Sequence, residues 1–584
     1  MRLATSYRFD GQALNRSSKA VGVGRGLLVS HHRIREGLTH SYHQETHTMK
    51  MKIMRFLLKP AAQALTVVTL FGGAVVPSAF ALEANSILVV AGPRTPESLD
   101  QEYPPTEATH EAKRNIYERL LAYDTKVTEG VQVENFDKLV GALAQSWTVS
   151  DDKTSITFNL RANVKSAAGN ALSADDVMWS FERGWNKNAN FRWYMNQILG
   201  IKSFDDAFKK LDEMTVKVTL PKTSPLIERI WVNNDLGILD ATAAKKNITK
   251  DDPYASSWLS THSASFAPYQ VTKFQSGQEV IYEANPNYYR GAPRLSKIIF
   301  REMPTSANRL AALQAGAVDV AEWLSPRELA MLEKNPQLKV WQVFGNYIHR
   351  VEMNNTTPPF DNSKVRQALN YLVPRDDILK AVYYGKARAT KSPISEIYPS
   401  YTDEYFNYTQ DVEKAKELLK EASLDAGFKT QLGYRTGDQI EEEIAVILKT
   451  AFARANVDIE LVKLPASTLV EKYSKGAIPM YFFRDMAIVP DAAYVANLWL
   501  NSASLINYPK FKNAEVDQLI NDALSSTDEA ARDKGMKRVQ QIVVDEAPWI
   551  FLMNPGYQLA TRANVAGFSW YTPNSNSWYD FYKK

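Results

Sequence analysis

Leu143-Ala-Gln-Ser-Trp-Thr-Val-Ser-Asp-Asp-Lys-Thr-Ser-Ile-Thr-Phe-Asn-Leu-Arg161, continued by Ser173-Ala-Asp-Asp-Val-Met-Trp-Ser-Phe-Glu-Arg183, decides the fold. Trp147 and Val149 face one way, Thr148 and Ser150 the other. Asp151-Asp152-Lys153 makes a turn. Ile156, Phe158 and Leu160 then alternate with Ser155, Thr157, Asn159 and Arg161, the period of a half-buried strand. A second turn at Gly169-Asn170 leads to Ser173, with Asp176 three residues on, a capping-box spacing. Behind it Ala174, Val177, Met178, Phe181 and Trp185 form one apolar helix face. The stretch therefore reads as a hairpin followed by a capped amphipathic helix.

Outward from it, the chain has 584 residues and no cysteine. That removes disulfides, thiolate metal sites, a thiol nucleophile and cysteine-linked lipid anchoring. Its length suggests several domains. Residues 50–81 read as a secretory signal. Lys50, Lys52, Arg55 and Lys59 supply the charge, Leu65 to Val76 the apolar run, and Ala79-Phe80-Ala81 a small-x-small cleavage site. Cleavage after Ala81 is expected, with release into the periplasm. The run is short for a membrane span, which needs ~20 apolar residues. Residues 1–48 are polar, basic and histidine-rich, with no apolar periodicity. They are expected to be a disordered or mis-assigned extension, with Met49, Met51 or Met54 as the true start. Residues 1–81 hold eleven Lys and Arg but three acids, so the mature chain carries net −4. Nothing in that balance suggests nucleic-acid binding.

No catalytic set stands out. After the signal only His110, His262 and His349 remain, in unrelated contexts. There is no Gly-x-Ser-x-Gly elbow, Walker loop or His-Glu-x-x-His. No enzyme activity, cofactor or resident metal is expected.

The quoted stretch also resembles the signature of family 5 solute-binding proteins, the dipeptide, oligopeptide and nickel receptors of bacterial ABC importers. The match lies in Leu-Ala-x-Ser-Trp-x-Val-Ser-x-Asp-x-x-Thr, Phe-x-Leu-Arg and Ser-Ala-Asp-Asp-Val-x-x-Ser-Phe-x-Arg. It departs at Ser166-Ala167-Ala168-Gly169, where an aromatic and Asp-Gly are usual. Further landmarks follow at Asn115–Leu120, Phe266–Tyr269 (without the usual glycines), Val280–Gly291 and Val365–Tyr371. Another runs from the Ser306–Ala315 helix and Gly316 to Val318-Asp319-Val320. The resemblance implies an α/β, two-lobed periplasmic binding protein of type II, with mixed sheets and a cleft between the lobes. It divides the chain into the extension 1–48, a signal peptide 49–81, lobe I in 82–120 and an inserted subdomain 121–262. Lobe I resumes in 263–345, a ligand-clamping lobe II spans 346–552, and 553–584 returns to lobe I. The loop after the first strand, Gly92–Pro96, is implied at the cleft.

It also implies the site. Asp485, in Phe482–Asp491, matches an ammonium-binding aspartate, and Asp491 the acid after a proline. Arg435, in Leu432–Gly437, matches a carboxylate-binding arginine; a guanidinium fork suits that role. Tyr434 and Trp499, with Phe483 and Tyr494, are candidates for stacking. The missing glycines near Asp485 and the Met486-Ala487-Ile488 run point to a more apolar or bulkier ligand than a standard dipeptide. The implied partners are a small-molecule or peptide ligand and an inner-membrane ABC permease with its ATPase; the receptor is expected to be a monomer. The alternative is a non-peptide solute such as an opine, oligosaccharide or metal chelate. An exported hydrolase is the third reading.

Overall fold

The computed structural model describes residues 86–104 and 106–584; the expected signal, cleavage site and N-terminal extension lie outside them. The hairpin forms as read. Strands Ala144–Val149 and Ser155–Leu160 are antiparallel, with Trp147 opposite Phe158 and Lys153 left-handed in the turn. Ser173 caps helix Ala174–Asn186, and Asp176 accepts from the Ser173 amide at 2.9 Å. Phe181 on its inner face stacks on Phe191, with ring centroids 4.9 Å apart, and meets Trp231 at 5.3 Å. This element belongs to a four-stranded sheet beside the main sheets.

Two larger sheets build the lobes. A seven-stranded sheet runs Leu338–Val343, Tyr557–Arg562, Val320–Glu322, Ile87–Gly92, Lys297–Glu302, Glu279–Ala284, Tyr269–Gln275. A six-stranded sheet runs Arg388–Ala389, Trp549–Asn554, Ile348–Met353, Met480–Asp485, Phe428–Arg435, Val457–Leu464. Both mix parallel and antiparallel neighbours. Helices Ser363–Leu372 and Gln439–Ala453 bury Leu369, Leu372, Ile444 and Leu448 against Leu432, Ile459 and Ile550 of the second sheet. The chain crosses between the sheets twice, at 344–347 and at 555–556. The crossings are tied together, since Asn554 Nδ2 donates to the Gly345 carbonyl at 2.7 Å. A Cβ on Gly345 would sit 2.4 Å from Trp570 Cζ2, so only glycine fits there.

One helix differs from the sequence reading. The spacing of Ile116, Leu120 and Leu121 predicts a helix over Glu111–Leu121; the observed one is Glu107–Ile116. Thr106 and Thr109 form a capping box that starts it a turn earlier. Tyr117 is already extended and Leu121 opens a strand, so the apolar Ile116, Leu120 and Leu121 are shared between two elements. The shift places Glu107 and Glu111 four apart on the same helix.

Candidate functional site

In open α/β sheets ligands collect outside the carboxyl ends of the strands. Strands Ile87–Gly92 and Val320–Glu322 run parallel, as do Phe428–Arg435 and Met480–Asp485. The carboxyl ends of Ile87–Gly92, Val320–Glu322 and Met480–Asp485 meet in one cavity of about 360 Å³, whose lining includes Arg94, Glu322 and Trp323 on the first-sheet side and Arg484 on the second. A larger cavity, about 500 Å³, lies beside the first crossing, walled by Phe344, Trp570 and Arg388, and touches none of these strand ends.

Helix Glu107–Ile116 and strand Val320–Glu322 supply the cavity floor. Glu111 and Glu322 both line it, and one amide nitrogen bridges them. Asn576 Nδ2 lies 3.1 Å from Glu111 Oε2, 2.9 Å from Glu322 Oε1 and 2.8 Å from the Tyr557 hydroxyl. Burial first, and then mutual repulsion, hold the Glu111 carboxyl well above the usual range; burial raises Glu322 to about 7. The pair thus shares a proton near neutrality. Glu107 stands at the open edge of the cleft. Its confinement there raises its carboxyl, while Arg484, Arg94 and Arg435 pull it down.

Beside the acids, Trp323 takes a left-handed backbone, φ +51°. A bulky residue holds that conformation only when its surroundings enforce it. Buried Arg309 does so: it donates to the carbonyls of Trp323 at 2.6 Å, Glu322 at 2.8 Å, Met303 at 2.5 Å and Pro304 at 3.0 Å. The Trp323 indole meets the Tyr557 ring edge-on, 5.6 Å between centroids, and joins Tyr282 and Phe300 in the cavity wall.

The second lobe presents ion pairs. Arg484 Nη1 lies 2.8 Å from Asp438, which also caps helix Gln439–Ala453. Arg435 pairs with Glu441 through its guanidinium and also donates its backbone amide to that carboxyl, 2.8 Å. Burial raises Glu441, with Arg435 opposing. Next to Arg484, burial and then that cation push His349 down to about 3, so the ring is neutral; Nδ1 lies 2.9 Å from the Tyr383 hydroxyl.

The residues singled out in the sequence fall in several places. Asp485 ends strand Met480–Asp485, its backbone paired with Ile348, immediately after Arg484; its side chain lies outside the description. Arg435 ends the neighbouring strand, close enough to act electrostatically on Glu107. Asp491 caps helix Ala492–Trp499, pairs with Arg532 at 2.6 Å, and lines another cavity of about 370 Å³. Tyr434 and Trp499 are taken into the interior, 6% and 2% exposed. The Trp499 ring lies 4.5 Å from the Arg350 guanidinium.

Sequence reasoning did not single out Glu107, Glu111, Glu322, Trp323 or Asn576. The available signals were Thr106-x-x-Thr109 ahead of two acids four apart, and an acid at Glu322 on the same strand face as Val320.

The sequence profile described as "Bacterial extracellular solute-binding proteins, family 5 Middle" matches residues 138–505. Heme-binding protein A of Haemophilus influenzae is 29% identical over 460 residues, covering 75% of this chain and 81% of its own. The probable D,D-dipeptide-binding periplasmic protein of Escherichia coli is 26% identical over 521 residues, 87% and 95% of the two chains. The fold is shared with a periplasmic binding protein of Helicobacter pylori solved with the peptide STSA. There the TM-score is 0.72 and the identity 24%, over 85% of this chain and 98% of that one. Among the described residues no helix is long and apolar enough to cross a membrane. Signature, fold and profile agree: the chain belongs to family 5 of the bacterial extracellular solute-binding proteins.

Proposed function

We propose that this protein captures a peptide or peptide-like zwitterion between its lobes and delivers it to the permease and ATPase of an ABC importer. The observation that carries the reading is charge of both signs facing one cavity from both lobes: Arg94, Glu107 and the Glu111–Glu322 pair on one side, Arg484 on the other. A zwitterion satisfies both signs, and closing the lobes over it strengthens each contact by excluding water. Relatives named for D,D-dipeptide, dipeptide and glutathione binding support it. In this reading Asp485 accepts the ligand ammonium. Arg484 lines the cavity and takes the carboxylate, with Arg435 behind it, held by Glu441.

The protein works as a monomer, turns nothing over, and is cleaved after Ala81. Native mass spectrometry of periplasmic protein tests the ligand and the processing together. A bound mass that fragments into amino acids, on a chain beginning at Leu82, is the expected result. A non-peptide mass moves the reading to the organic-solute alternative, which the aromatic wall at Trp323 and the heme-binding relative favour. Incubation with peptides should return them intact; product that scales with protein and survives repurification overturns the receptor reading.

A further inference from the structure

The Glu111–Glu322 pair has a chemistry that a simple zwitterion clamp does not use. Two buried carboxyls bridged by the Asn576 amide, at 3.1 and 2.9 Å, repel each other unless one keeps its proton, leaving one net negative charge on the cavity floor. Arg309, from helix Ser306–Gln314, spends its donors on carbonyls. Facing the pair are also Tyr282 and Tyr557 from two strands and Asn576 from the C-terminal segment. Glu107 of the same helix, Arg94 and Arg484 line the same cavity. Among the described residues no base comes within 4.0 Å of either carboxyl. Trp323, Tyr282 and Phe300 line the same cavity, and aromatic faces attract cations. Trp323 is held there against its backbone preference by Arg309.

Resting on the reading of this cavity as a peptide site, we propose that its floor is a subsite for a second, side-chain cation of the ligand, an ammonium or guanidinium. On entry the cation takes the place of the shared proton. The proton leaves to solvent, the pair goes from one negative charge to two, and the cation balances the added charge. No covalent bond forms or breaks. Binding of such ligands therefore releases a proton and strengthens as pH rises through neutrality, because the proton competes with the cation.

Calorimetry with Ala-Lys-Ala and Ala-norleucine-Ala, each in phosphate and in Tris at pH 7, tests this. The lysine peptide is expected to bind at least about tenfold tighter and to release close to one proton, read from the difference between buffers. Glu322→Gln keeps the side-chain shape and should remove both the preference and the release; Glu111→Gln provides an independent second variant. Equal affinity for the two peptides, or a release unchanged in both variants, overturns the subsite and leaves the peptide reading standing. Binding of neither peptide, nor of any peptide in a wider screen, overturns that reading and the subsite with it.

Discussion

The two faces of the cleft are built on opposite plans. The first lobe buries its acids and fixes them with Asn576 and Tyr557, and among the described residues no basic side chain forms an ion pair with either carboxyl. The second lobe pairs its charges in place: Arg484 with Asp438, Arg435 with Glu441. A buried, proton-sharing carboxyl is sensitive to pH and to what lies against it. The Arg484–Asp438 pair is partly solvated, a weak and exchangeable contact, with the enclosed Arg435–Glu441 pair behind it. The contrast teaches that the rigid, costly chemistry sits on the first lobe, while the second carries charges that can trade partners when a ligand arrives.

The sharpest way to break that difference is Arg309→Ala. Buried carbonyls of Glu322 and Trp323 then lose their donor, each worth ~1–3 kcal/mol when left unsatisfied. A total loss of ~3–5 kcal/mol in urea unfolding is expected. Next is Asp485→Ala: losing one partner of an enclosed charge pair costs ~2–5 kcal/mol of affinity for an amine-bearing peptide. The unliganded melting temperature should hold. Wild-type affinity in calorimetry would remove Asp485 from the clamp.

The third prediction concerns pH. The native state holds the Glu322 proton up to about 7, against a usual value of 4.5, so it binds more protons than the unfolded chain between those values. Stability from this group is full at low pH and lost as pH rises through neutrality, ~2 kcal/mol between pH 5 and 8. Relative to Glu322→Gln, the wild type should therefore become less stable over that range in paired denaturant titrations. A parallel pair of curves would show that the carboxyls do not share a proton. The smallest effect is expected across the cleft: Asp438→Asn, which keeps a helix cap but breaks the pair with Arg484, should cost under ~1 kcal/mol. A larger loss would erase the distinction between the faces.

The fold was legible because its evidence is local. The alternation of Ile156, Phe158 and Leu160 and the Ser173-x-x-Asp176 cap act over a few residues, and the structure realises both. The helix at Glu107–Ile116 was misjudged by a turn because Ile116, Leu120 and Leu121 read as one apolar face although a strand takes the last of them. The cavity floor was out of reach for a different reason. Asn576 stands 465 residues from Glu111 and 254 from Glu322, and no periodicity spans that distance. Tyr434 and Trp499 show the converse limit: an isolated aromatic has no local sign of whether it faces a ligand or the interior.

The order of strands in the seven-stranded sheet bears on the timing of synthesis. Strand Tyr557–Arg562 lies between Leu338–Val343 and Val320–Glu322, so it is a central rung rather than an edge. Until the ribosome has made it, Leu338–Val343 and Val320–Glu322 lack that neighbour, and the floor acids lack Asn576. The six-stranded sheet, by contrast, comes from one contiguous segment between the crossings. The half of the molecule translated first is therefore the half completed last. A nascent chain cannot finish its first sheet until residues 557–562 are made, so the closing pairings of that sheet are long-range and late.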